Sequence, residues 1–376
     1  MSRNDRIKVC FVVGTLGRGG AERQLIYMLG ALKSRPVDIR VLCLTRGEAL
    51  EAEIKDLGVS VEWVGSSPSR ARRLAAIVRS LHREPADIVQ SAHFYTNIYA
   101  AMAATLTGSR SIGAIRSNVL LEIKGNLPLG LAGLLLPDYL IVNSRPARRR
   151  VLERGRSPER VRMVKNAVDV RRFAGSHSER QCRSRDVLHL LFVGRLIPEK
   201  RVDRFLRLLE RADRTFVDKR VEARIVGGGP ERVPLENLRA ELGLDPERVQ
   251  FIGEVNDTAP HYSWADLLVL TSDLEGTPNV ILEAMASGLP VLATAVGGVP
   301  DLLCHGGGLM VRPGSLDALF TALAQMVGDV GLVERLAREG RQYVARNHSL
   351  DSLRSQLSEV YEVVMARGRS STRLGR

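Results

Sequence analysis

Two glutamates, Glu275 and Glu283, stand eight positions apart in EGTPNVILEAMASG, residues 275–288. No lysine or arginine lies near them in the chain: the flanking ones are Arg248 and Arg312. Carboxylates with no cationic neighbour in sequence either face water or accept hydrogen bonds from another donor. Vicinal hydroxyls are such donors. Thr277 suits a helix cap, Pro278 its first turn and Gly288 its end, so the stretch predicts a helix over about 278–287. The free N–H groups and positive dipole end of that helix suit an anion. With a diphosphate there, Glu275 would lie on one side and Glu283 on the other, as the hydroxyls of a sugar nucleotide lie on both sides of its diphosphate.

Cations stand elsewhere. In FVGRLIPEKRVD (192–203), Arg195 and Lys200 follow an apolar run, and two cations there suit a diphosphate. Glycine-rich stretches follow two other runs. GTLGRGGAERQL (14–25) includes Gly19 and Gly20, and IVGGGPE (225–231) includes Gly227; both permit close backbone approach to an anion. The first lacks the G-x-G-x-x-G spacing, so a nicotinamide or flavin cofactor is not supported. No D-x-D occurs and no His/Cys cluster has metal-ligand spacing, so neither a metal nor a cofactor is expected. Arg195, Lys200 and helix dipoles would then neutralise the charge on a diphosphate leaving group.

These residues need strand ends to position them. Apolar runs at 8–14, 38–44, 59–64, 86–92, 111–115 and 138–143 alternate with helical patterns. A second series runs through 187–194, 221–227, 248–253, 265–270 and 289–294. The alternation predicts an α/β chain of two doubly wound, Rossmann-like domains facing a cleft, with ligands beyond the carboxyl ends of the strands. The polar stretch 175–186 reads as a linker. The domains expected are 1–180, with 350–376 packing back on it, and 187–348. Helical patterns at about 315–346 and 350–367 close the chain, the second with one apolar face.

The 376 residues, 44% hydrophobic and 26% charged, describe a soluble globular protein. The N-terminal apolar run is too short for a signal peptide, and no run of about twenty apolar residues would span a membrane. Cys10, Cys43, Cys182 and Cys304 form no redox or zinc spacing, which fits reduced thiols of a cytoplasmic protein. The net charge of +13 is uneven: residues 1–185 carry 32 Lys/Arg against 16 Asp/Glu, and residues 186–376 carry 23 against 26. A basic half attracts nucleic acid, an anionic membrane surface or a phosphorylated substrate. The apolar stretch 116–138 is too short to span a bilayer, but its length and flanking charges suit the interface as well as a core helix.

Taken together, GRGGAERQL (17–25), KNAVDVRRF (165–173), FVGRLIPEK (192–200), IVGGGP (225–230), FIGEV (251–255) and EGTPNVILEAMASGLPVLATAVGG (275–298) resemble the retaining, nucleotide-sugar-dependent glycosyltransferases of family 4, of GT-B fold. They stand in family order over nearly the whole chain. The resemblance implies transfer of a hexose-type sugar from a nucleoside-diphosphate sugar, a UDP-sugar above all, to an acceptor hydroxyl in polysaccharide or glycolipid assembly. It implies that Arg195 and Lys200 bind the donor diphosphate, that Glu275 contacts the transferred sugar and that Glu283 holds the ribose. Gly19, Gly20, Gly227, Gly276, Asn279 and Val280 fall at donor-binding positions of the pattern. His93, in DIVQSAHFYTN, falls where the family often has an active-site histidine. The family's Asn-Gly-Val-Asp is here Asn166-Ala167-Val168-Asp169, and alanine disfavours a left-handed backbone at 167.

The partners implied are the nucleotide-sugar donor and a glycan or lipid-linked acceptor, with an anionic membrane surface as a candidate for a peripheral protein on the inner face of the cell membrane. A sugar-nucleotide epimerase or a phosphorylase of the same architecture is the competing enzyme reading. Nucleic-acid binding finds no aromatic-rich strip or helix-turn-helix to support it.

Overall fold

The computed structural model describes residues 6–33, 35–174 and 186–371. They form two compact units: one runs to Ala167 and takes the chain back from Leu350, and the other is Val168–Ser349. The boundary thus falls ahead of the polar stretch 175–186, which lies outside the described residues except for Asp186.

The first unit is built on a seven-stranded parallel sheet: β1 (Ile7–Val13), β2 (Val37–Cys43), β3 (Ser60–Trp63), β4 (Ile88–Ser91), β5 (Arg110–Ile115), β6 (Tyr139–Val142) and β7 (Val161–Met163). Its order is β3-β2-β1-β4-β5-β6-β7. Strands β1, β4 and β6 are almost wholly buried because helices cover both faces, as a parallel sheet requires. The order reverses between β1 and β4, so Gly14 and His93, just beyond their carboxyl ends, flank the switch point.

The second unit repeats the plan with six parallel strands: β8 (Val187–Val193), β9 (Arg220–Val226), β10 (Val249–Gly253), β11 (Leu267–Leu270), β12 (Val291–Thr294) and β13 (Gly308–Val311). The order β10-β9-β8-β11-β12-β13 reverses between β8 and β11. The segments after those strands hold Arg195, Lys200 and Glu275.

Two helical expectations change. The pattern at 315–346 is two helices, Leu316–Gly328 and Val330–Asn347, separated where the Asp329 carboxylate accepts the Leu332 N–H at 2.8 Å. The segment 116–138 is two short helices, Val119–Gly125 and Gly130–Leu135, which leave Leu120, Leu121, Leu131 and Leu135 exposed. The last helix, Leu350–Ser371, packs on helix Gly20–Lys33 through Leu353, Leu357, Val360, Tyr361 and Val364, and the Tyr361 hydroxyl donates to Gln90 at 2.7 Å. No single helix among the described residues is long and apolar enough to cross a membrane.

Candidate functional site

In the second unit the segment after β8 is fastened to its neighbours by backbone bonds. The Leu196 N–H donates to the Gly228 carbonyl at 2.8 Å, and the Glu231 N–H donates to the Leu196 carbonyl at 3.1 Å. Gly227 makes this possible. Its φ is +134°, and a Cβ there would stand 1.9 Å from the Gly194 carbonyl oxygen. The side on which a Cβ would stand is taken by the neighbouring strand end.

Beyond it, Lys200 ends the short turn Pro198–Lys200, and Arg201 follows with φ +49°, the one non-glycine with positive φ among the described residues. Two aspartates hold that conformation: Asp203 at 2.9 Å and Asp273 at 2.8 Å from the guanidinium. The buried Arg204 donates to Asp273 and to the Thr271 carbonyl, each at 2.8 Å. The Asp273 N–H donates to the Glu199 carbonyl at 2.9 Å. Hydrogen bonds from Arg204 and then Arg201 keep the Asp273 carboxyl below the usual carboxylate range. The segments after β8 and β11 are thereby laced side by side.

The lacing sets the Lys200 Nζ 2.6 Å from the Glu275 Oε1, which also accepts the Ser272 hydroxyl at 2.7 Å. The Glu275 side chain is 5% exposed. Glu275 is therefore not without a cation: its partner comes from 75 positions away, outside any sequence window. Arg195 contrasts with it. Its side chain is exposed and has no ion pair or hydrogen bond among the described residues.

The helix after Glu275 is Asn279–Ala286, with Pro278 rather than Thr277 at the cap position and no side chain capping it. Gly276, Asn279 and Val280 are partly exposed at its start. The loop ahead is pinned by the Gly298 N–H, which donates to the Gly276 carbonyl at 2.6 Å. Gly288 turns the chain at the other end with φ +64°. Glu283, half-buried, accepts the hydroxyl of the fully buried Tyr262 at 2.7 Å, which fixes one carboxylate oxygen.

The first unit holds a separate cluster. The His93 Nδ1 accepts the Gly14 N–H at 3.2 Å, so the ring proton sits on Nε2, 3.1 Å from Glu22 Oε1. Glu22 lies in the first turn of helix Gly20–Lys33 and also accepts from the Thr15 hydroxyl at 3.3 Å. Burial pushes its carboxyl up, but the bonds from His93 and Thr15 outweigh this and hold it below the usual range. Tyr95 stacks on His93 with ring centroids 5.6 Å apart. A Cβ on Gly19 would meet the Glu22 carboxylate at 2.2 Å, and Gly20 opens the helix. Ala167 keeps negative φ, and Gln24 bonds its N–H at 2.8 Å and its carbonyl at 2.7 Å.

Glu22, Tyr262, Ser272 and Asp273 are absent from the sequence reading. Glu22 was visible beside the double glycine; the others carry no local signal, since their roles depend on strand ends brought together by the sheets. Among the described residues no group of three His, Cys, Asp or Glu side chains is placed to hold a metal.

Two doubly wound units, each with its polar residues gathered at the carboxyl ends of its strands, are the architecture of a GT-B glycosyltransferase. The family models agree: residues 18–172 match glycosyltransferase family 4, and residues 188–329 match glycosyl transferases group 1. The chain belongs to this family, with the GT-B fold. It is 26% identical over 338 residues to the lipopolysaccharide core biosynthesis glycosyltransferase LpsE of Rhizobium meliloti, covering 89% of this chain and 93% of that one. It is 33% identical over 183 residues to an uncharacterized glycosyltransferase of Methanocaldococcus jannaschii, covering 47% of this chain but only 45% of the relative. The Anabaena HepE protein, solved in complex with UDP, superposes with a TM-score of 0.82 at 21% identity, covering 95% of this chain and 100% of that one.

Proposed function

We propose that this protein is a retaining hexosyltransferase that moves a sugar from a UDP-sugar to a hydroxyl of a glycan or lipid-linked acceptor, in polysaccharide or glycolipid assembly. The observation that carries the proposal is the contrast between the exposed, unpaired Arg195 and Lys200, which is held on the buried Glu275 ahead of a helix N-terminus. Arg195 and Lys200 neutralise the diphosphate as the sugar leaves, so transfer proceeds without a metal ion. Glu275 accepts hydroxyls of the transferred sugar, and Glu283, its second oxygen fixed by Tyr262, accepts those of the ribose. His93, protonated on Nε2, donates to a substrate hydroxyl on exchanging Glu22 for it. UDP is favoured as the carrier by the UDP complex of HepE, and a lipopolysaccharide-type acceptor by LpsE. The exposed leucines of 119–136 favour a cytoplasmic protein peripheral on the inner membrane face.

Calorimetric titration of UDP beside turnover assays tests the division of labour. Glu283→Gln weakens the charge-assisted bonds to ribose, so UDP affinity falls by about 1–3 kcal/mol. Glu275→Gln abolishes turnover, yet UDP affinity does not fall, because Lys200 is released from its partner. Equal loss of UDP affinity in both variants, or full turnover in Glu275→Gln, refutes the assignment. Activity lost to EDTA and restored by magnesium or manganese refutes the metal-free mechanism.

A further inference from the structure

The first unit contains a cavity of about 390 Å³ that none of the residues assigned to the donor lines. Leu74, Phe94, Ile98, Met102 and Leu129 supply much of its wall. The volume is in the range of pockets that enclose small molecules. Its apolar wall offers water few hydrogen-bonding partners. An apolar ligand is the better occupant.

Its charge narrows the ligand further. Arg70 and Arg73 line the cavity and no carboxylate does. The Arg73 Nε donates to the Ser67 carbonyl at 2.6 Å, which fixes the side chain and leaves its terminal nitrogens without partners among the described residues. Arg70 is exposed and has no ion pair there. Met102 and Leu129 are 42% and 39% exposed, so the apolar wall reaches the surface. Tyr95, also in the lining, stacks on His93. The cavity is thus one ring away from the first-unit cluster.

We propose that this cavity receives the hydrocarbon chain of a phosphate-bearing lipid acceptor, with Arg70 and Arg73 on its phosphate. The inference rests on the transferase reading and names the acceptor class for it. A single chain fits the volume, the two arginines fit an anionic headgroup, and the position places the head near His93. A purely glycan acceptor would leave an apolar wall without a partner.

Calorimetry with the full chain tests this, using dodecyl phosphate below its micellar concentration, dodecanol and inorganic phosphate. Dodecyl phosphate is expected to bind at least tenfold more tightly than either of the others. Met102→Trp and Leu129→Trp, each filling the mouth, should weaken it at least tenfold with the melting temperature retained. The double variant Arg70→Ala/Arg73→Ala should lose the preference for dodecyl phosphate over dodecanol. Unchanged dodecyl phosphate binding in both tryptophan variants overturns the proposal, as does a preference that survives loss of both arginines. UDP titrated into the same proteins separates the readings. Normal UDP binding with failed lipid arms removes the pocket alone, whereas a wild-type chain that ignores UDP removes the transferase reading whatever the lipid arms show.

Discussion

Arg195 and Lys200 read alike in the sequence but meet opposite electrostatic conditions. Arg195 has no partner to lose, so Arg195→Ala should leave stability within about 0.5 kcal/mol while transition-state stabilisation falls by roughly 2–4 kcal/mol. A thermal melt beside a turnover assay checks both, and near-normal turnover refutes the diphosphate role. Lys200→Ala instead strands Glu275, whose side chain is 5% exposed. Breaking a buried pair costs about 3–5 kcal/mol, and the lower end applies because the lysine is partly solvated. Denaturant titration should therefore rank Lys200→Ala well below Arg195→Ala in stability. Asp273 adds a pH dependence. Its folded-state pKa lies below the ordinary value of about 3.9. Its contribution is therefore complete above about pH 4 and is lost as the pH falls through the folded value. Acid unfolding below about pH 4 should be steeper in the wild type than in Asp273→Asn; equal slopes would show that Arg204 and Arg201 do not stabilise the ionised form.

The glycines that end strands show how an element places a residue. A Cβ on Gly227 would lie 1.9 Å from the Gly194 carbonyl oxygen, where only backbone movement relieves it. Gly227→Ala combines backbone strain of about 1–3 kcal/mol with an overpacking cost of similar size. It should also shift the segment carrying Arg195, and so weaken UDP binding. Gly47 also has positive φ, +74°, but opens onto empty space. Gly47→Ala should cost only about 1–2 kcal/mol and leave UDP binding intact. Equal effects in the two variants would remove the packing argument. Strands of this kind were legible in the sequence because burial on both faces makes them continuous apolar runs. β7, Val161–Met163, and β13, Gly308–Val311, were not, being short and only partly buried. The break at Asp329 was hidden because apolar spacing continues across it. Glu275 and Glu283 were legible as a pair by their isolation from cations; the Lys200 bond was not, because it arises only when the segments after β8 and β11 lie side by side.

At the scale of the whole molecule, charge and apolar exposure are concentrated in the first unit's sequence. Residues 1–167 and 350–376, which make up that unit, carry 32 Lys/Arg against 17 Asp/Glu, while residues 168–349 carry 23 against 25. Leu120, Leu121, Leu127, Leu131, Leu135 and Leu136, all within one short stretch of that unit, are exposed. Each Lys or Arg near an anionic surface contributes about 1 kcal/mol, and the effect fades within a Debye length. Leucines inserted at the interface contribute burial energy that salt does not screen. The two contributions can be separated by sedimentation with vesicles. The protein should bind anionic vesicles at low salt and neutral ones weakly. Raising the salt should release most, not all, of the bound protein. Leu120→Ser/Leu121→Ser should remove the salt-resistant fraction and leave the low-salt fraction in place. Equal binding to neutral and anionic vesicles, or none at low salt, eliminates membrane association; complete release by salt from the wild type eliminates the leucines as its anchor.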